Sequence, residues 1–242
     1  MTVHRLFISP EQLAAGPRVK LSPEQSRHLL AVLRLERGAE IEVFDGRGGR
    51  YFAVLAGDEV EIRALLPPGP RRVDVVLVQA LARGEKMDLV LQKATELGAT
   101  RIVALAADRA VVKLEQGRGA SRAERWRRIA REAARQCGRA DVPQVDAPVA
   151  WDGVFSLLQA EPDRRAFLLD PAEQGRRLGE AVRGVRRCLV AVGPEGGFSP
   201  EERRRAVENG FVPAALGPLV LRTETAGLAA LAIVLHVNGE LG

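Results

Sequence analysis

The run Pro67-Pro68-Gly69-Pro70 separates two hydropathy patterns that suit different folds. Before it come short, partly alternating strand-like segments at residues 5–8, 18–21, 40–44, 51–55 and 59–63. Asp45-Gly46-Arg47-Gly48-Gly49 predicts a hairpin turn between two of them. One helix interrupts, started by Ser22-Pro23-Glu24-Gln25 with Leu29, Leu30, Val32 and Leu33 as its apolar face. After the prolines, apolar runs of strand length (residues 73–79, 101–105, 166–169, 188–192 and 212–216) alternate with helical stretches. Residues 88–97 read as a helix ending at Gly98. Ser121 and Glu124 read as the capping box of a long helix ending near Gly138, with Trp126, Ile129, Ala130, Ala133 and Cys137 on its inner stripe. Strand and helix in alternation predict an α/β fold with a mainly parallel sheet covered by helices on both faces. The expected organisation is a small β-barrel over residues 1–70 and an α/β domain over 71–242.

Charge narrows the partner. Residues 1–70 are neutral overall, 71–140 carry a net +8 and 141–242 a net −3, giving the chain +5. The basic middle third suits a polyanion such as nucleic acid, although a basic solvated face is the plainer reading. The use of 32 arginines against 4 lysines explains which cation is chosen but not its clustering. No apolar run approaches the ~18 residues of a membrane span. The start lacks the pattern of a secretory signal, and Cys137 and Cys188 make no metal-ligand spacing. A cytoplasmic protein without metal or membrane partner is expected.

Two turns carry the chemistry. Gly193-Pro194-Glu195-Gly196-Gly197 follows a buried strand and precedes the helix start Ser199-Pro200-Glu201-Glu202. That order often cradles phosphate. Here the loop has no Lys or Arg, contains Glu195, and meets two more carboxylates at the helix start, so a neutral or partly cationic ligand fits better than an anion. A tight turn with no ligand is the alternative. The second turn, Leu216-Gly217-Pro218-Leu219-Val220-Leu221-Arg222-Thr223-Glu224-Thr225-Ala226, enters a helix apolar nearly all round. Arg222 and Glu224 are therefore expected in dry surroundings, where charges must be paired or functional. His4, His28 and His236 show no ligand spacing, and no nucleophile motif appears.

The two turns together resemble the cofactor region of SPOUT methyltransferases. More narrowly, Arg83-Gly84-Glu85-Lys86-Met87, Gln92-Lys93-Ala94-Thr95-Glu96-Leu97-Gly98, Gln136-Cys137-Gly138-Arg139, Phe44-Asp45-Gly46 and Arg5-Leu6-Phe7 are similar to stretches of the RsmE family, which methylates N3 of a uridine in small-subunit ribosomal RNA. The resemblance implies an N-terminal PUA-like barrel, a C-terminal domain with a deep trefoil knot, and a homodimer whose pocket is completed at the subunit interface. It implies S-adenosylmethionine as cofactor, leaving as S-adenosylhomocysteine, held by Leu169, Val192, the 193–197 loop, Leu216, Gly217, Leu221, Arg222, Thr223, Thr225 and Ala226. Leu219 departs from the family, which often has a basic residue there.

Methyl transfer to N3 needs the base in line with the methyl group and stabilisation of the charge left as N3–H loses its proton. Arg222 is the expected stabiliser, with Glu224 orienting it or nearby loop groups. Arg5, Arg34, Arg83, Lys86, Lys93, Arg109, Lys113 and Arg139 are the candidate ribosomal RNA phosphate contacts. A non-catalytic RNA-binding protein on this scaffold, a related enzyme acting on another nucleotide, and a nucleotide-dependent hydrolase or dehydrogenase are the competing readings. The last lacks both phosphate and dinucleotide fingerprints.

Overall fold

The structure is a computed structural model and describes residues 4–69, 73–110 and 119–242. Pro70 and Lys113 lie outside the described residues. Two compact units emerge: one takes residues up to 70 together with Arg131–Val142, and the other takes Arg71–Ala130 with Pro143–Gly242. The segment Arg131–Val142 thus joins the first unit, beyond the expected 1–70 range.

The first unit contains β1 (His4–Phe7), α1 (Pro10–Leu13), β2 (Arg18–Lys20), α2 (Pro23–Ser26), β3 (Glu40–Phe44), β4 (Arg50–Leu55) and β5 (Glu59–Leu65). The strands lie in the order β1-β3-β4-β5-β2, parallel only between β1 and β3. Leu6 and Val19, from the two end strands, share one core with Ile41, Val43, Leu55 and Val60, so the sheet curls around a common interior. In the β3–β4 turn the Asp45 carboxylate accepts from the amides of Arg47 and Gly49. Gly46 is left-handed there (φ 76°), and a Cβ on it would sit 2.9 Å from the Phe7 ring.

Two expectations fail in this unit. Ser22 and Gln25 do form a reciprocal capping box, but the α-helix lasts one turn before a π-helical stretch, Arg27–Val32. The wider π turn rotates the apolar positions apart, so Leu29 is buried while Leu30 and Val32 are 41% and 63% exposed. Arg5 and Arg139 are interior rather than free for phosphate. Arg5 donates to Glu42 (2.6 and 2.9 Å) and to the Arg139 carbonyl (3.0 Å). Arg139 is 2% exposed and paired with Asp141. Burial alone would raise the Glu42 carboxyl, but hydrogen bonds from Arg50 and Arg5 outweigh it and hold it below its ordinary value.

The second unit runs β6 (Asp74–Ala80), α3 (Glu85–Leu97), β7 (Arg101–Leu105), α4 (Gly119–Cys137, its end in the first unit), β8 (Gln144–Val145), α5 (Trp151–Gln159), β9 (Arg165–Leu169), α6 (Leu178–Ala181), β10 (Arg187–Val192), α7 (Pro200–Glu208), β11 (Phe211–Ala214) and α8 (Thr223–Val237). The six strands lie in the order β11-β9-β10-β6-β7-β8, and every pair is parallel. Strand order reverses beside β6, where β7 and β8 run one way and β9 to β11 occupy the other side. Ligands gather at the carboxyl ends of strands near such a reversal.

Helix α8 packs on α3, β6 and β10, and α5 packs on α7 and β7. Gly98 closes α3 in the left-handed conformation (φ 112°), as expected. Ser121 and Glu124 fall inside α4, which already includes Gly119, so the S-x-x-E spacing there is not a helix start. Trp126 is core, whereas Cys137 is exposed.

Candidate active site

The carboxyl ends of β9, β10 and β11 open onto one cavity of about 380 Å³. It is apolar in the main, with Leu168, Val192, Phe198, Ala214 and Leu216 on its walls. Asp170, Glu195, Arg203 and Arg222 are its charged members. The structure therefore brings the two turns together. Leu169, Val192, Gly193, Pro194, Glu195 and Gly197 reach the cavity from β9 and the first turn, and Leu216, Gly217, Leu221, Arg222, Thr223 and Ala226 from the second. Gly196 and Thr225 do not line it. The Gly196 carbonyl accepts from Arg109 (3.0 Å), and Thr225 faces outward.

Beside the Arg109 bond to Gly196, three further supports hold the glycine turn. The Glu202 carboxylate, only 3% exposed, accepts from the Ser199 amide (2.7 Å), the Asp108 amide (3.0 Å) and Trp151 Nε1 (2.9 Å). Its charge faces inward and is consumed in anchoring α7, so it does not act on the cavity as the sequence suggested. Trp151 in turn contacts Phe198, which sits directly behind the turn. Lys86, at the start of α3, donates to Glu195 (2.9 Å) and lies 3.5 Å from Glu224. The hydrogen bond to Glu195 holds Lys86 above its ordinary pKa, and the same bond holds Glu195 below its own. Finally, Thr223 donates its hydroxyl to the Gly193 carbonyl (2.6 Å), joining the second turn to the first.

The glycines of the first turn are not equivalent. Gly197 has φ 67°, where an L side chain is strained, and a Cβ on Gly193 would sit 3.3 Å from the Phe198 amide nitrogen. A Cβ on Gly196 would meet ordinary contact distances. Gly197→Ala is expected to cost about 1–2 kcal/mol of loop order. It should weaken ligand binding more than Gly196→Ala does, as calorimetry on the two variants would show.

Charges near the second turn differ from expectation. The Arg222 side chain is exposed and makes no hydrogen bond or ion pair among the described residues, because it sits just ahead of α8 rather than in its buried face. No bond joins it to Glu224, whose side chain is 12% exposed and turned to Lys86. Glu224 therefore does not orient Arg222 here. Asp170 and Arg203 went unnoticed in the sequence. Arg203 Nε donates to Asp170 Oδ2 (2.6 Å) across 33 positions of chain. The only local signal was a carboxylate directly after the apolar run of β9.

Among the other candidate phosphate contacts, Arg34 and Arg83 are exposed, and Lys93 is paired with Glu96 (2.8 Å). Lys86 and Arg109 are tied to the glycine turn as described.

No cluster of His, Cys, Asp and Glu among the described residues is suited to a metal ion. The Cys188 thiol, buried at the amino end of β10 and away from the cavity, is pushed up to about 12 by burial and is not a nucleophile. What remains is a preformed, mostly apolar pocket with a few fixed charges, suited to holding a small organic ligand with an aromatic or aliphatic body.

Residues 69–235 match the model of an RNA methyltransferase domain, and residues 21–64 match that of an RNA methyltransferase PUA domain. The chain is 34% identical to the ribosomal RNA small subunit methyltransferase E of Synechocystis, over 95% of this chain and 76% of that one. It is 29% identical to the Bacillus subtilis protein of the same name, over 96% of both. A crystal structure of the Neisseria gonorrhoeae ribosomal RNA small subunit methyltransferase E bound to S-adenosyl methionine superposes with a TM-score of 0.86, at 31% identity and 98% coverage of each chain. With the pocket at the ends of β9, β10 and β11 and a PUA domain ahead of it, the chain belongs to the ribosomal RNA small subunit methyltransferase E family.

Proposed function

We propose that this protein transfers a methyl group from S-adenosylmethionine to N3 of a uridine in small-subunit ribosomal RNA. The observation that carries the reading is the single cavity formed where the two turns meet, in a chain of this family. Its residues fit the cofactor. The glycine turn offers no cation for phosphate, and Glu195 is compatible with a ligand bearing a sulfonium and an amine. Leu168, Val192 and Leu216 supply apolar walls.

When bound, the cofactor supplies an activated methyl group. The chain's own residues hold that ligand against the turns, exclude water with the apolar wall, and place a guanidinium at the opening. As N3–H is lost, charge gathers on the flanking carbonyl oxygens of the base. Arg222, exposed and uncommitted, is positioned on the cavity lining to stabilise it. The base must leave its stack to reach the cavity. Glu224 is not assigned a part in this step.

Titration calorimetry tests the reading. S-adenosylmethionine is expected to bind one site per chain, and ATP and NAD to bind far more weakly. Preferential binding of either nucleotide would overturn the assignment. Small-subunit RNA is expected to lose roughly tenfold or more in affinity between about 50 and 200 mM salt, since cationic side chains displace counterions on binding. Affinity independent of salt would argue against a phosphate-led interface.

The proposal extends to the assembly and the chain path. Leu219 and Val220 stand 77% and 79% exposed beside the opening, a placement that suits coverage by a second copy in a homodimer. Leu219→Asp should then shift a dimer towards monomer in light scattering. We also infer the trefoil knot of related methyltransferases in the segment from β9 to α8, and a cytoplasmic site of action where ribosomal RNA is found.

A further inference from the structure

We infer that Gln79 is a positioning residue for the cofactor pocket, acting through Thr223 on the carbonyl of Gly193; the inference rests on the function proposed above. Gln79 lies on β6, the strand beside the sheet reversal, in register with Val192 of β10. It is fully buried, and apart from Asp74 at the start of β6 the rest of the strand is apolar. A buried primary amide without a task is a costly choice for a central strand.

Its hydrogen bonds run in one direction, and chemistry fixes that direction. The Gly193 carbonyl can only accept, so the Thr223 hydroxyl spends its single proton on it (2.6 Å). Thr223 Oγ1 can then only accept from Gln79, so the amide must present Nε2 to it (2.8 Å). Gln79 Oε1 is thereby turned towards Gly227 of α8, where it is buried with no hydrogen-bond partner among the described residues. Gly227 makes room for it: a Cβ there would sit 2.6 Å from Oε1. One side chain of the sheet thus determines how the hydroxyl at the start of α8 grips the first residue of the glycine turn. Both pocket-forming turns are set by the same relay. It holds the Gly193 carbonyl against α8 and leaves the rest of the turn, closed by the Gly197 amide donating to the Pro194 carbonyl (2.9 Å), facing the cavity.

The test compares the full-length wild type with Gln79→Met, Thr223→Val, Thr223→Ser and the Gln79→Met/Thr223→Val double variant. Calorimetry with S-adenosylmethionine, thermal melting and amide exchange at Gly197 in the ligand-free protein are read for each. Gln79→Met and Thr223→Val are each expected to weaken the cofactor by about tenfold or more, with kcat changed less than KM. The double variant should be little worse than the poorer single one, because both break one relay. Thr223→Ser should recover most of what Thr223→Val loses. Exchange at Gly197 should quicken in Gln79→Met and Thr223→Val without any ligand present.

Lower melting temperatures with unchanged affinity and unchanged Gly197 exchange would make Gln79 merely structural and overturn the inference. So would single-variant losses that multiply in the double. If Gln79→Met fails to fold, the contrast between Thr223→Val and Thr223→Ser decides. A wild type that does not bind S-adenosylmethionine would instead refute the proposed function, while Gly197 exchange would still judge the relay.

Discussion

Replacing Arg222 by alanine is expected to lower the rate of methyl transfer by about 10²–10³, with cofactor affinity changed by less than about tenfold. The split follows from where the side chain stands. Arg222 is on the cavity lining but is exposed, and among the described residues it has no partner to satisfy. Its loss therefore disturbs little in the free protein. The cofactor is held mainly by the turns, so its affinity should be spared. The transition state, in which the base gathers negative charge, loses a donor that no neighbour replaces: Arg203 is held by Asp170 and Lys86 by Glu195. Arg222→Lys keeps the charge but not the fork of donors and should fall between wild type and alanine. Equal turnover in all three proteins would remove Arg222 from the mechanism. A loss seen only in cofactor affinity would make it a binding residue.

Arg164→Ala is expected to destabilise the second unit by about 2–3 kcal/mol, because it removes buried hydrogen bonds to charged groups while Arg187 still pairs with Asp74 and Glu161. The guanidinium, with its side chain 4% exposed, lies at the amino ends of the strands, opposite the cavity. It donates to Asp74 Oδ2 (2.6 Å), to Glu161 Oε2 (2.7 Å) and to the Cys188 carbonyl (3.1 Å). Thr100 donates to the other oxygen of Asp74, so β6, β9, β10 and the approach to β7 meet at one clasp. Thermal melting should show a fall of roughly 5–10 °C for a protein of this length.

The pH dependence gives a second check. Burial would raise the Asp74 carboxyl, but the hydrogen bonds from Arg164 and Thr100 hold it below its ordinary value. A carboxyl depressed in the folded state adds stability above its unfolded pKa and loses it as pH falls through the folded one. The gap between wild type and Arg164→Ala should therefore narrow as pH drops below about 4. A constant gap would mean that packing, not the ion pair, is what the variant removes.

Much of this architecture could be read locally. Strand runs and capping signals are short-range, so the alternation after residue 70 led to the parallel sheet, and the turns after β10 and β11 marked two walls of the cavity. What escaped depends on distant partners. Arg203 looks like any helix-surface arginine until β9 brings Asp170 to it. Arg139 and Arg5 look like surface cations until the first unit encloses them with Asp141 and Glu42. Gln79 reads as a polar interruption after the apolar run Val75–Val78, and its task appears only when α8 lays Thr223 and Gly227 against it. The π-helical turn at Arg27–Val32 escaped for a different reason, since apolar spacing there fits an α-helix and only the backbone departs from it.

The most direct test of the account is methylation of small-subunit ribosomal RNA by the purified protein with methyl-labelled S-adenosylmethionine, followed by digestion to nucleosides. The label is predicted to appear in 3-methyluridine, at an initial rate that falls about 10²–10³-fold with Arg222→Ala. Label in another nucleoside, or none in RNA that lacked the modification beforehand, would contradict the account.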